Sequence, residues 1–213
     1  MSGVAIAGSM GALPVLREII AGLPRNFPAA VFVVQHIPPS GNFVSCLTAL
    51  LRLRSELPIK WAEEGERIRS GQVYVAPQDH HLVLGPGGRF MLLPAVRINF
   101  VRPSADPLFH SLAVQFGKRL IGVVLSGFGQ DAAEGAASIR DFGGQLIVQD
   151  RTSARAFGMP AAALAATGAD FVLPPEKITS ALIELVTPPP GALASELFPA
   201  HTAGPAFPLK KIG

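Results

Sequence analysis

Short apolar runs alternate with helix-period patterns along most of this chain, and that alternation restricts it to an α/β fold. Val4–Ala7 is an unbroken apolar strand candidate, followed over Leu13–Ala21 by a helix whose Leu13, Leu16, Ile19, Ile20 and Leu23 share a stripe. Pro24 and Pro28 interrupt the chain before a second apolar run, Ala29–Gln35, and Pro38-Pro39-Ser40-Gly41 opens a helix over about Asn42–Arg54. Such β–α–β units predict parallel strands with right-handed crossovers. The alternation resumes with helix Pro107–Gly117, strand Ile121–Leu125, helix Ala132–Asp141 and strand Gln145–Gln149. A short helix near Pro160–Ala166, a strand near Phe171–Leu173 and a helix Glu176–Val186 follow. Between the two halves, Gln72–Ala76, His81–Leu84 and Arg89–Leu93 are separated by Pro77-Gln78-Asp79 and Gly85-Pro86-Gly87-Gly88, which predicts an antiparallel meander or hairpin at the sheet edge. The expected fold is α/β, three-layer and doubly wound, with a mainly parallel sheet and a short antiparallel β addition. Residues 1–187 form its one domain, and 188–213, rich in Pro, Ala and Gly, read as a C-terminal tail.

Composition narrows the function classes. At 213 residues, 49% hydrophobic and 15% charged, the chain can bury a good-sized core and is not a disordered one. No apolar run approaches the roughly 18 residues of a membrane span. No basic residue precedes Arg17, which argues against a secretory leader. The lone Cys46 cannot form an internal disulfide and fits a reducing cytoplasm; with Leu47, Leu50 and Leu51 beside it, it reads as a helix-face residue without a catalytic role. The net charge of +3 and pI near 9.4 come without a dense run of Lys or Arg, so nucleic-acid binding is not expected.

Three chemistry-bearing residues stand just past strand ends. Ser9 follows the first run within Gly8-Ser9-Met10-Gly11, His36 follows Ala29–Gln35, and Asp131 follows the Ile121–Leu125 strand across Ser126-Gly127-Phe128-Gly129-Gln130. Carboxyl ends of parallel strands share one edge, where ligands bind, so the three can meet as nucleophile, base and orienter. A serine nucleophile suits a sharp strand-to-helix turn between small residues, and the helix opening near Ala12 turns amide groups toward it. Ala7 occupies the first glycine of the hydrolase G-x-S-x-G pattern, and the order Ser–His–Asp differs from the α/β-hydrolase order. Taken singly, Ser9 and Asp131 read as helix caps and His36 as a satisfied strand-end histidine; one edge holding all three favours a site.

Other chemistries fit less well. Gly8-Ser9-Met10-Gly11 lacks the full G-x-G-x-x-G spacing, the second strand ends without an acidic residue, and no lysine follows the glycines. A nucleotide cofactor is therefore not expected. His36, His80, His81, His110 and His201 form no helical metal-binding pair. Asp106 and His110, four apart on a helix, read as an exposed pair or a cap, and His80 and His81 point to opposite faces of a strand. No metal is expected.

Seven segments, in order, resemble the catalytic domain of the chemotaxis protein-glutamate methylesterases (CheB-type). They are Ile6-Ala7-Gly8-Ser9-Met10-Gly11, Val34-Gln35-His36-Ile37-Pro38, Glu64-Gly65-Glu66-Arg67, the run from Gly71 to Pro77, Arg102-Pro103-Ser104-Ala105-Asp106, the run from Ser126 to Asp131, and Phe157-Gly158-Met159-Pro160. The resemblance spans roughly Val4 to Val186. It implies Ser9 as nucleophile, His36 as general base and Asp131 as orienter, acting without cofactor on glutamate γ-methyl esters of a chemoreceptor or chemoreceptor-like protein. It also implies glutamine deamidation in some relatives, and an enzyme of the cytoplasm that is peripheral to its membrane receptors. Amides near Met10 and Phe128 are the candidate oxyanion donors. The chain departs from the family pattern in two places: Met10 stands in the family's S-T-G-G segment, and Val101 precedes Arg102 where the family carries His. A non-catalytic binding module retaining the fold is the alternative if those changes spoil the site. Relatives usually carry a receiver domain ahead of the first catalytic strand, which here begins by Val4, so none is expected.

Overall fold

Alternate residues of the first strand serve opposite faces of one sheet, and this parity organises the molecule. The computed structural model describes residues 1–36 and 43–187. Its strands are β1 (Ser2–Gly8), β2 (Ala29–Gln35), β3 (Ile59–Trp61), β4 (Val73–Val75), β5 (His81–Gly85), β6 (Arg89–Leu93), β7 (Leu120–Val124), β8 (Gln145–Gln149) and β9 (Phe171–Leu173). The helices are α1 (Ala12–Gly22), α2 (Phe43–Arg52), α3 (Ala105–Phe116), α4 (Ala133–Asp141), α5 (Gly158–Thr167) and α6 (Pro175–Val186). Seven strands form a sheet in the order β3-β4-β2-β1-β7-β8-β9, every pairing parallel. Val4 and Ile6 point to a core with Leu16, Ile19, Ile20, Leu47, Leu51, Ile178 and Leu182, contributed by α1, α2 and α6. Ala5 and Ala7 point to the other, with Leu108, Phe109, Leu112, Ala136, Ile139 and Met159 from α3, α4 and α5. Strands covered on both faces can be apolar throughout, which is why the runs carry no alternation.

Of the two forms expected for the antiparallel addition, a meander or a hairpin, the structure has the hairpin. Among the named strands of the described residues, only β5 and β6 pair antiparallel, as a separate two-stranded sheet. The run around Gln72–Ala76, grouped with them from its turn-bounded spacing, instead supplies β4, parallel to both β2 and β3. Its central Tyr74 packs edge-on against Phe90 at 4.9 Å between ring centroids and stacks on Phe32 at 6.0 Å, so the hairpin lies over the face of the sheet. Strand β3, three residues long, carries too little pattern to be read beforehand. Helix α3 begins at Ala105, ahead of the expected Pro107, because the Ser104 side chain accepts a hydrogen bond from the Asp106 amide as its N-cap. Cys46 is exposed on α2. Asn42, the Pro38–Gly41 turn and the tail 188–213 lie outside the described residues. No helix among the described residues is long and apolar enough to cross a membrane.

Candidate active site

The chain moves outward from β1 to β2 and then returns to place β7 on the other side of β1, so the crevice at the carboxyl ends of β1 and β7 is the switch point of the sheet. A cavity of about 670 Å³ opens there, lined among others by Ser9, Met10, His36, Phe128 and Arg155. Ser9 sits one residue past β1. Its amide donates to the Ser126 carbonyl at 2.9 Å, and its carbonyl accepts from Gln35 Nε2 at 3.0 Å. Gly11 holds φ +83°, and a Cβ there would come within 2.5 Å of the Arg155 side chain, so the turn after Ser9 needs a glycine. Gly11, not Ser9, is the residue ahead of α1, with no side-chain cap. The Ser9 hydroxyl is therefore not spent on helix capping.

His36 follows β2, and its Nε2 lies 2.8 Å from Asp131 Oδ2. Asp131 does not cap α4 either; that position belongs to Ala132 at φ 74°. The carboxylate instead accepts Ser104 Oγ at 2.5 Å and the Ala105 amide at 2.8 Å as well as His36. Burial pushes the Asp131 carboxyl upward, but the His36 hydrogen bond and charge, with the Ser104 and Ala105 donors, hold it below the ordinary carboxylate range. Asp131 is thus an anion fixed on three donors, and an anion in that position keeps an imidazole oriented and basic. Together with a hydroxyl on a neighbouring turn of the same cavity, this arrangement can deprotonate an alcohol for attack on an acyl carbon.

Several supporting residues were not singled out from the sequence. Ser126 is fully buried and joins three segments: its amide donates to Gln149 Oε1 of β8, its carbonyl accepts the Ser9 amide while its hydroxyl donates to the Met10 carbonyl in the turn after β1, and the same hydroxyl accepts the Ala156 amide. Ser104, also fully buried, receives its own orientation from His81, whose Nδ1 accepts the Ser104 amide at 3.1 Å while Nε2–H donates to the Val96 carbonyl at 2.9 Å. Burial lowers the His81 pKa, against the pull of the Val96 carbonyl, so the ring stays neutral with its proton on Nε2. The only sequence signal for these serines is their place in the Arg102–Asp106 and Ser126–Asp131 segments.

Of the two roles expected for Asp106, an exposed pair with His110 or a cap, the structure shows a cap, on a neighbouring helix. Asp106 is buried rather than an exposed partner of His110, which lies against Ser138 instead. Asp106 Oδ1 accepts the Gly135 amide at 2.8 Å, capping the first turn of α4 from a neighbouring helix, and Oδ2 accepts Asn99 Nδ2 at 2.8 Å. Burial and the nearby charge of Asp131 push its pKa up to about 7. Met10 and Phe128 each follow an engaged amide, since Ser9 N–H is held by Ser126 and Gly127 N–H by Ala156. The Met10 and Phe128 amides take no hydrogen-bond partner among the described residues. No cluster of metal-ligating side chains occurs among the described residues.

A doubly wound α/β domain here brings a serine, a histidine and a buried aspartate to its switch point, an arrangement whose residue types suit acyl transfer. Comparison with known sequences narrows this to one family: the CheB methylesterase model matches residues 4–182, and the chain belongs to that family. A protein-glutamate methylesterase/protein-glutamine glutaminase 2 of Anaeromyxobacter dehalogenans is 42% identical over 182 residues, covering 85% of this chain and 52% of that protein. A protein-glutamate methylesterase/protein-glutamine glutaminase of Thermotoga maritima is 41% identical over 186 residues, 86% of this chain and 54% of the relative. The chain thus spans about half the length of these curated relatives. The crystal structure of the Thermotoga maritima CheB methylesterase catalytic domain superposes with a TM-score of 0.82 at 41% identity, covering 87% of this chain and 98% of that one.

Proposed function

We propose that this protein hydrolyses glutamate γ-methyl esters on a chemoreceptor or chemoreceptor-like protein through Ser9, His36 and Asp131. The observation that carries the reading is the 2.8 Å pairing of His36, which lines one cavity with Ser9, to a buried Asp131 that accepts three hydrogen bonds. With Asp131 ionised, His36 Nε2–H donates to it, which leaves Nδ1 to accept the Ser9 hydroxyl proton. The Ser9 oxygen attacks the ester carbonyl, and the amides of Met10 and Phe128 receive the developing oxyanion. Protonated His36 returns its proton to the departing methoxide, giving methanol. Water, deprotonated by His36, then cleaves the acyl-enzyme to free glutamate and Ser9. A glutamine side chain passes through the same steps with ammonia leaving, in keeping with the glutaminase named in the relatives.

Methanol release from methylated receptor membranes tests the reading directly. The wild-type chain releases methanol and reacts with a fluorophosphonate at Ser9, while Ser9→Ala does neither and keeps its fold, because alanine fits the turn. A folded wild-type chain that binds methylated receptor yet releases no methanol and takes no label is instead a binding module on the same fold.

A further inference from the structure

One side chain at the cavity mouth is held in an unfavourable backbone conformation and fully in solvent. Ile98 and Val101 exchange both backbone hydrogen bonds, at 3.1 and 3.0 Å, so Asn99 and Phe100 form the tip of a tight hairpin turn. Both tip residues have positive φ, 50° for Asn99 and 66° for Phe100. Asparagine tolerates this region, but a bulky aromatic does so at a cost, and glycine is the usual occupant of the second position. Packing offers no compensation, since Phe100 is 94% exposed. The tip is nevertheless anchored: Asn99 donates to buried Asp106 at 2.8 Å and accepts Gln130 Nε2 at 3.3 Å, one residue on either side of groups that build the Asp131 site. Strain kept in place by such anchors marks a functional constraint.

The surroundings indicate what the ring meets. Phe100 lines the Ser9 cavity together with Met10 and Phe128, which are themselves 46% and 69% exposed, so three apolar side chains frame the mouth. An exposed apolar cluster of this kind belongs to a contact surface. Arg97, Arg102 and Arg155 line the same cavity, while Asp79, already paired with Arg102, is its sole carboxylate among the described residues. The surplus positive charge complements an acidic partner.

We infer that Phe100 is a positioning residue for a macromolecular substrate, its ring engaging an apolar side chain on the acidic segment that carries the reacting ester. The inference rests on the esterase reading. The arm gives a protein substrate purchase just outside the chemistry, and it acts on binding before the carbonyl reaches Ser9.

Steady-state methanol release from methylated receptor, measured with Phe100→Gly, Phe100→Asn and Phe100→Leu, tests this. Glycine and asparagine both accept the positive φ, so both variants fold, and Phe100→Gly melts at the wild-type temperature or a few degrees above it. The expected result is a KM raised about tenfold in both, with kcat changed by less than about twofold, while Phe100→Leu recovers most of the loss. A KM within about twofold of wild type in the glycine and asparagine variants overturns the inference and leaves the esterase reading intact. A loss confined to kcat overturns it too, by placing the ring in the chemical step. A wild-type chain releasing no methanol defeats the underlying reading, and the arm falls with it.

Discussion

At the scale of single residues, the site depends on a buried anion whose partners are all fixed. Asp131 is held by His36, Ser104 and the Ala105 amide, so Asp131→Asn replaces an acceptor with a donor facing the His36 nitrogen that must carry a proton. In a serine protease the same change costs about ten-thousand-fold in turnover. An ester is easier to cleave, and we expect a loss of roughly a hundred- to a thousand-fold in kcat with KM little altered, measured by methanol release. Ser104→Ala removes only one of the donors and leaves Asp131 charged. Its expected effect is smaller, about tenfold in kcat, with the acidic limb of the pH–rate profile moved upward because Asp131 loses a bond that favours its anion. An unmoved profile in a folded Ser104→Ala protein would reduce Ser104 to a cap of α3.

At the scale of elements, α3 and α4 are joined through a carboxyl group that resists ionisation. Asp106 caps the first turn of α4 through the Gly135 amide, yet burial and Asp131 raise its pKa to about 7. A carboxyl raised from its unfolded value near 3.8 favours the folded state most at low pH. That contribution declines as pH rises from about 4 and is lost by the time Asp106 ionises near neutrality. Asp131, whose pKa is lowered, has the opposite sign: its contribution is present above the unfolded value and is lost as pH falls through the folded one. Denaturant unfolding between pH 5 and pH 8 checks the first of these. The wild-type chain weakens across that range by roughly one to a few kcal/mol, and Asp106→Asn, which cannot ionise, flattens the slope. A slope unchanged by the substitution would mean that other groups set it.

At the scale of the molecule, both faces of the sheet must be covered for its apolar strands to be stable. Helix α6 closes one face, burying Ile178, Leu182 and Val186 in the core that also contains Leu16 and Ile19. We propose that the catalytic unit ends at Thr187. Removal of 188–213 should then leave the melting temperature within about 2 °C and methanol release unchanged. Truncation before Pro175 strips three buried apolar side chains, each worth about 2–5 kcal/mol against a total stability of about 5–15 kcal/mol. That shorter chain should fail to fold cooperatively, as judged by circular dichroism on heating.

The amino-acid sequence by itself determined the α/β class, the parallel core strands and the turn residues at Ser9, His36 and Asp131. Those features are local: an all-apolar run, a helical stripe and a residue just past a strand end are written within a few positions of one another. Tertiary structure decided what depends on neighbours distant in the chain. Val73–Val75 became a parallel strand because β2 and β3 lay ready to pair with it, a choice its own short pattern leaves open. Asp131 was freed from capping α4 because Ala132 took that position, and Asp106 capped α4 in trans from α3. The buried hydrogen bonds that aim the site, from His81 through Ser104 to Asp131 and from Ser126 to β8 and to the turn after β1, join residues more than twenty positions apart. Burial sets the direction of the pKa shifts at His81 and Asp106, and burial exists only once the layers have closed.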